Sequence, residues 1–145
     1  MRSSSRFTVA VHTLLCIAYF GDTVKTTSNF IAGSVGVNPV VVRKTLGQLK
    51  AAGMVDVEAG VGGAAIVCDP ATTTLLDVFR AVEEADDGLF GFHEHPNDLC
   101  PVGRNIHAAL DGELADAQRA LEDRLAQTTL ADLIARMHVL ADPGE

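Results

Sequence analysis

A series of helix-capping residues and glycines in the first half of the chain constrains its fold most strongly. Thr27 or Ser28 is suited to cap the start of one helix, and Asn38 followed by Pro39 is suited to open another. Gly36 lies between them and accommodates the positive φ that often ends a helix. The spacing therefore predicts two short helices joined by a tight turn, which together form a helix-turn-helix unit.

A glycine-rich segment follows the second of these helices, which is predicted to run to Ala52 and stop at Gly53. Stretches rich in Val and Ile predict short strands over residues 54–57 and 65–68, and the link between them contains three glycines. This pattern is typical of a β-hairpin. No Lys-Ser or Lys-Thr pair follows the glycines, which argues against a nucleotide-binding P-loop. The whole unit predicts a winged helix-turn-helix, whose second helix enters the DNA major groove.

The flanking segments are predicted to be helical. Apolar residues recur on one face of residues 5–20, and Cys16 in that helix is interpreted as a small buried thiol. Two capping-box patterns, at residues 74–77 and 129–132, predict a fourth and a final helix. Residues 85–100 contain Asp, Gly, His, Pro and Asn and predict an irregular loop, a kind of segment that often carries function.

A long amphipathic helix is predicted from about Pro101 to Gln127. Its apolar residues follow the spacings 4, 4, 3, 4 and 4, and they are Ile106, Leu110, Leu114, Ala117, Leu121 and Leu125. A seam of this length favours helix–helix pairing in a homodimer, the alternative being a helix that covers only its own core. The expected fold is mainly α with a small two-stranded β wing. Residues 1–70 would form the DNA-binding domain, and residues 71–145 the sensor loop and helical dimerisation region.

Charge is distributed unevenly along the 145 residues, whose net charge is −8. Residues 1–66 contain six Lys or Arg and three acids, whereas residues 67–145 contain five Lys or Arg and sixteen acids. The mildly basic half is suited to contact the phosphates of DNA, with the acidic half directed away from the DNA. The alternative is that the basic residues form an ordinary solvated surface.

The three cysteines, Cys16, Cys68 and Cys100, are odd in number and widely spaced, which does not fit the disulfide framework of a secreted protein. The apolar run over residues 9–20 is too short to span a bilayer and lacks a clear signal-peptide cleavage site. We therefore expect a cytoplasmic protein without membrane contact. No acid–base pair or nucleophile constellation indicates an enzyme.

The outer face of the third helix is the predicted DNA-reading surface. Arg43 can bind a guanine edge through two hydrogen bonds, Val40 can contact a thymine methyl group, and Lys44 lies beside them. The predicted wing contains no Lys or Arg, so phosphate contacts are expected elsewhere. The candidates for those contacts are Arg2, Arg6, Lys25, Thr27, Ser28 and Asn38.

Cys100 is the candidate sensor because it precedes Pro101 at the start of the long helix, where the helix dipole favours a thiolate. The alternative is a packing residue at the helix cap. His93 and His95 with Cys100, and with Asp98 nearby, are candidate ligands for zinc or a similar metal. The alternative for the two histidines is that they are polar loop residues.

The order of these parts resembles the family of bacterial transcription regulators that includes IscR, NsrR and CymR, often called Rrf-two. The matching segments are residues 37–43, 49–55, 62–63, 75–78 and 81–83, followed by the long helix. The resemblance implies a homodimer that binds a palindromic operator. Family members with iron–sulfur clusters carry three closely spaced cysteines before the long helix, and here Cys100 alone stands there. The chain therefore resembles the cluster-free branch, with no cofactor expected, although zinc remains open.

These observations predict a DNA-binding repressor, responsive to an oxidant or a small-molecule effector, with thiol sensing through Cys100. One alternative is a protein-interaction module that kept the winged-helix fold and lost operator binding. Another is a metal-sensing regulator that uses His93, His95 and Cys100.

Overall fold

A computed structural model describes residues 5–58, 62–83, 90 and 95–142. In these ranges it contains six helices and one two-stranded sheet. The elements are α1 (Ser5–Phe20), α2 (Ser28–Val35), α3 (Pro39–Ala51), β1 (Val55–Glu58), β2 (Gly63–Ile66), α4 (Leu75–Val82), α5 (Pro101–Leu125) and α6 (Leu130–Ala141). The expected architecture, mainly helical with a small β wing, is confirmed.

The helix-turn-helix unit is built by the caps that the sequence predicts. The Thr27 hydroxyl oxygen accepts a hydrogen bond from the Phe30 N–H at 3.2 Å, which caps α2. Gly36 ends α2 at a φ of 80°. The Asn38 side-chain oxygen then accepts from the Val40 N–H at 2.9 Å and caps α3, with Pro39 as its first residue.

The wing is an antiparallel hairpin in which Val55 pairs with Ile66 and Glu58 with Gly63. Its second strand begins two residues before the predicted one, because it is also fastened to the segment that precedes α2. The Thr26 hydroxyl donates to the Ala64 carbonyl oxygen at 2.8 Å, and the Ala64 N–H donates to the Thr26 carbonyl oxygen at 3.0 Å. These bonds give the hairpin a fixed position beside α2.

One hydrophobic core gathers around α1, which contacts α2, α3, α4 and α6. Side chains from both sides of the predicted boundary at residue 70 contribute to this core. Its most buried large members are Leu14, Ile31, Val42, Leu49, Val78, Val82 and Leu130. Because α4 also contacts α5, the packing of α4 and α6 on α1 fixes the helix-turn-helix relative to α5.

The two predicted capping boxes lie side by side and join α4 to α6. In each, a Thr hydroxyl accepts from the backbone N–H of an Asp three residues later, and that Asp accepts from the Thr N–H. The Leu75 N–H donates to the Thr128 carbonyl oxygen at 2.9 Å, and the Leu130 N–H donates to the Thr73 carbonyl oxygen at 2.8 Å. Helix α4 ends at Val82, and α5 ends at Leu125, two residues before the end predicted for the long helix.

Helix α5 differs from the other helices in its burial. It packs mainly on α4, and none of its 25 residues is buried. In the described ranges, no helix combines the length and apolar character needed to cross a membrane.

Candidate nucleic-acid interface

Helix α3 has one face in the core and one face open to solvent. Val42, Leu46 and Leu49 are buried against the rest of the unit. On the opposite side, Arg43 and Lys44 are exposed, and neither forms an ion pair with another described residue. The sequence periodicity thus identified an outer face that is free to meet a groove.

The start of α3 presents more apolar surface than the sequence prediction included. Val40 is 62% exposed, as expected for a contact residue, and the adjacent Val41 is 43% exposed. Val41 was missed because it falls between the two periodic faces of α3. Two exposed valines beside Arg43 and Lys44 form a surface suited to thymine methyl groups and guanine edges.

The residues at the helix starts are positioned by their capping roles. The side-chain oxygens of Thr27 and Asn38 already accept backbone N–H groups, so the Thr27 hydroxyl proton and the Asn38 amide are what remain to meet phosphate. Ser28 is half-buried at the first position of α2. Backbone N–H groups at such a helix start favour an anion.

The candidate phosphate-binding cations lie in different environments. Lys25 is exposed before α2. Arg6 in α1 forms an ion pair with Glu83 at 3.1 Å, and the Glu83 side chain is only 8% exposed. This pair offsets the charge of Arg6, so a phosphate contact by Arg6 requires rearrangement and remains a prediction. Arg2 lies outside the described residues.

The described part of the wing is acidic. Asp56 and Glu58 project from β1 and are exposed, while β2 carries no charged residue. Lys50, at the end of α3, lies 3.9 Å from Asp56. Because carboxylates repel phosphate, this hairpin is poorly suited to follow the DNA backbone.

Cys100 is the N-cap residue of α5 and is half-buried. Its sulfur forms no capping hydrogen bond, yet the backbone N–H groups of Gly103 and Val102 favour the thiolate and lower the pKa of the thiol. Its N–H donates to the Asn97 carbonyl oxygen at 3.2 Å. The direction of this pKa shift matches the expectation of an acidified thiol at this helix start.

Gly103 allows the turn before α5 to lie close to the helix, and no sequence pattern predicts this. A Cβ added at Gly103 would overlap the Asn97 carbonyl oxygen and come within 3.1 Å of its carbon. The same carbonyl accepts the Cys100 N–H. Gly103 therefore allows the close approach that places Cys100 over the helix start.

The predicted metal ligands are not brought together within the described residues. His93 lies outside the described ranges, and His95 is exposed. Across residues 5–58, 62–83 and 95–142, no three His, Cys, Asp or Glu side chains form a group that could hold a metal. Cys16 is buried in α1, as expected, and Cys68 is half-buried after β2.

The predicted dimerisation seam is uncovered in the single chain. Leu110 is 38% exposed and Ala117 is also exposed. The remaining members are half-buried: Ile106, Leu114, Leu121 and Leu125. Exposed apolar residues also lie at the start of the helix, where Leu99 is 90% and Val102 70% exposed.

Comparisons with known proteins agree with this arrangement. A family model named Rrf2 and described as an iron-dependent transcriptional regulator matches residues 3–136. YwnA of Bacillus subtilis (strain 168), described as an HTH-type transcriptional regulator, is 45% identical over 131 residues, which is 90% of this chain and 96% of YwnA.

Solved structures show the same fold. The crystal structure of a protein described as DNA-binding is 42% identical, with a TM-score of 0.70 over 89% of this chain and 98% of that one. CymR, the global cysteine regulator of B. subtilis, is 19% identical, with a TM-score of 0.66 over 93% of this chain and 97% of its own. At that identity the likeness to CymR concerns the fold alone.

Proposed function

Because the chain belongs to the Rrf2 family of bacterial transcriptional regulators, we propose that it is a cytoplasmic repressor that binds a palindromic operator as a homodimer. Its fold is that of a DNA-binding regulator rather than an enzyme. The observation that carries the proposal is the outer face of α3, where Val40, Arg43 and Lys44 are exposed on a helix whose opposite face is buried. Such a helix presents its outer side chains to base edges in the major groove.

Helix α5 supports the homodimer. Its 25 residues extend for about 37 Å at about 1.5 Å per residue, yet none of them is buried. Pairing with a second α5 would remove the seam of Ile106, Leu110 and Leu114 from water. A twofold pair of chains would present two copies of α3, which suits two half-sites related by the same symmetry.

Thiol chemistry at Cys100 is the regulatory part of the proposal. A thiolate attacks a peroxide oxygen, the O–O bond breaks, and sulfenate and water form, so the sulfur is oxidised while the peroxide is reduced. The low pKa imposed by Gly103 and Val102 increases the thiolate fraction. Because Cys100 caps α5, a change of charge or size there acts directly on the start of the proposed dimer helix.

We also propose that the chain holds no iron–sulfur cluster. A cluster is normally held by four ligands, mostly thiolates. Of the three cysteines in the sequence, Cys16 is buried within α1 and Cys68 follows β2, so Cys100 stands alone in the predicted sensor loop. The visible spectrum and metal content of protein purified without oxygen test this. A brown protein would contradict the absence of a cluster. A colourless protein that contains zinc would agree with that absence and support a zinc site at His93, His95 and Cys100.

The central experiment is a gel-shift titration with the duplex that lies upstream of the chain's own coding region, repeated at several salt concentrations. Phosphate contacts give a steep fall in affinity with salt. Arg43→Ala should weaken binding by about 1–3 kcal/mol and relax base preference, since it removes a bidentate base contact, while the dimer persists in sedimentation. An Arg43→Ala protein that binds as tightly and as selectively as wild type would contradict the assignment.

The acidic wing favours a second candidate, a winged-helix module that binds another protein. Asp56 and Glu58 occupy the hairpin that often follows the DNA backbone, and the chain carries a net charge of −8. This alternative predicts that the upstream duplex binds no better than a scrambled duplex at any salt concentration. Specific, salt-dependent binding would exclude it.

A further inference from the structure

Three helical glycines occupy open space. A Cβ added at Gly33 in α2, Gly47 in α3 or Gly112 in α5 would meet no atom of the described residues within 4 Å. Other glycines are required by the fold: Gly36 has a φ of 80°, and a side chain at Gly103 would overlap Asn97. The packing of residues 5–58, 62–83 and 95–142 therefore gives no reason for glycine at the three open positions.

Glycine within a helix is unfavourable when nothing requires it. Relative to alanine, glycine lowers the ratio of folded to unfolded protein about fivefold, because glycine gives the unfolded chain more backbone freedom. Gly47 lies inside α3, between Pro39 and Ala51, and it is exposed. The absence of a side chain there reduces stability without relieving any contact within the described chain.

Gly47 lies in the middle of the outer face of α3. It is separated from Arg43 by four residues and from Lys44 by three, which places all three on one side of the helix. Lys50 and Ala51 follow on the same side and are exposed. Arg43, Lys44 and Lys50, the last of which lies 3.9 Å from Asp56, thus border a position where α3 carries no side chain.

We propose that Gly47 is a positioning residue for DNA, which sets how deeply α3 enters the major groove. This inference rests on the proposed operator binding. An α-helix with its side chains is about 10–12 Å across, and the major groove is about 12 Å wide, so the fit is tight. Without a side chain at Gly47, the wall or floor of the groove can approach the helix backbone. Arg43 then reaches base edges that a methyl group at residue 47 would hold about 1.5 Å farther away.

One substitution at Gly47 should have opposite effects on the stability of the protein and on its affinity for DNA. Gly47→Ala should raise Tm by about 2–4 °C, because the alanine suits the helix and meets nothing in the free protein. The same variant should bind DNA about fivefold more weakly, and Gly47→Leu about 100-fold more weakly, because the added atoms overpack the interface. A more stable protein that binds less well is not expected from damage to the fold.

The matched control is Gly112→Ala. Gly112 is an open, exposed glycine in α5, outside the helix-turn-helix. This variant should show the same gain in Tm and bind DNA as wild type. Sedimentation of all variants checks that they share one oligomeric state.

The probe is a duplex selected by the wild-type protein from a randomised pool that can hold two half-sites one helical turn apart. If Gly47→Ala and Gly47→Leu bind this duplex as tightly as wild type, the role of Gly47 is refuted while operator binding stands. If the wild-type protein enriches no duplex, operator binding itself fails and the role of Gly47 fails with it. Graded loss across Ala and Leu, with unchanged binding by Gly112→Ala, supports the proposal.

Discussion

Replacing Gly103 with alanine tests the link between the turn before α5 and the thiol of Cys100. The new methyl group would overlap the Asn97 carbonyl oxygen, which also accepts the Cys100 N–H. To make room, the turn must move away from α5 and weaken that hydrogen bond. The same movement separates the Cys100 sulfur from the backbone N–H groups of Val102 and Gly103 that lower its pKa.

The expected size of the effect follows from two opposing contributions. Overpacking of this kind typically costs about 1–3 kcal/mol. The helix propensity of alanine returns up to about 1 kcal/mol, and less near a helix end. Gly103→Ala should therefore lose about 1–2 kcal/mol and lower Tm by about 2–8 °C. Gly112→Ala, which meets no neighbour, should instead gain about 1 kcal/mol.

Two assays measure this prediction. Urea denaturation of both glycine variants gives the change in the free energy of unfolding, and the pH dependence of iodoacetamide alkylation gives the pKa of Cys100. We expect that pKa to rise towards the ordinary thiol value in Gly103→Ala and to stay low in Gly112→Ala. A Gly103→Ala protein as stable as Gly112→Ala, or one whose alkylation profile matches that of wild type, would contradict this role of Gly103.

Three further predictions concern phosphate contact, the seam and pH. Lys44→Ala should weaken binding to all DNA duplexes alike and reduce by about 1 the slope of log affinity against log salt concentration. Titrations at several salt concentrations measure this slope, and an unchanged slope would exclude a phosphate contact by Lys44. Leu114→Glu should raise the dimer dissociation constant at least about 100-fold in sedimentation, whereas Ala108→Glu on the opposite face of α5 should not. Equal dissociation constants for the two variants would contradict dimerisation through the seam. Because its folded-state pKa is lowered, Cys100 should stabilise the fold above the unfolded thiol pKa of about 8.5, and that stability should be lost as pH falls through the folded pKa. Cys100→Ser should abolish this dependence in urea titrations across pH, and a parallel profile would disprove it.

Much of the candidate DNA interface was accessible from the sequence, because its parts are local. The side-chain acceptor of an N-cap lies within three residues of the N–H that it binds. The capping roles of Thr27 and Asn38 could therefore be predicted without knowledge of the rest of the fold. The two faces of α3 follow from helical periodicity in the same way. The exposure of Val41 does not follow from periodicity, since exposure at the edge of a face depends on which neighbours pack there.

The remaining features involve residues far apart in sequence. The ion pair of Arg6 and Glu83 joins residues separated by 77 positions, so a cation predicted for phosphate has a different partner in the folded chain. The shift of β2 arises from two hydrogen bonds to Thr26, which no strand pattern encodes. The environment of Cys100 likewise depends on how closely Asn97 approaches Gly103.

The elements that form and the faces that they expose follow from local sequence, because helix caps, turn glycines and apolar periodicity act over a few residues. How those elements meet depends on the complete fold. It placed β2 against Thr26, paired Arg6 with Glu83 and left α5 without a buried residue. Such contacts depend on the three-dimensional packing of segments far apart in the chain, and short sequence patterns carry no information about that distance.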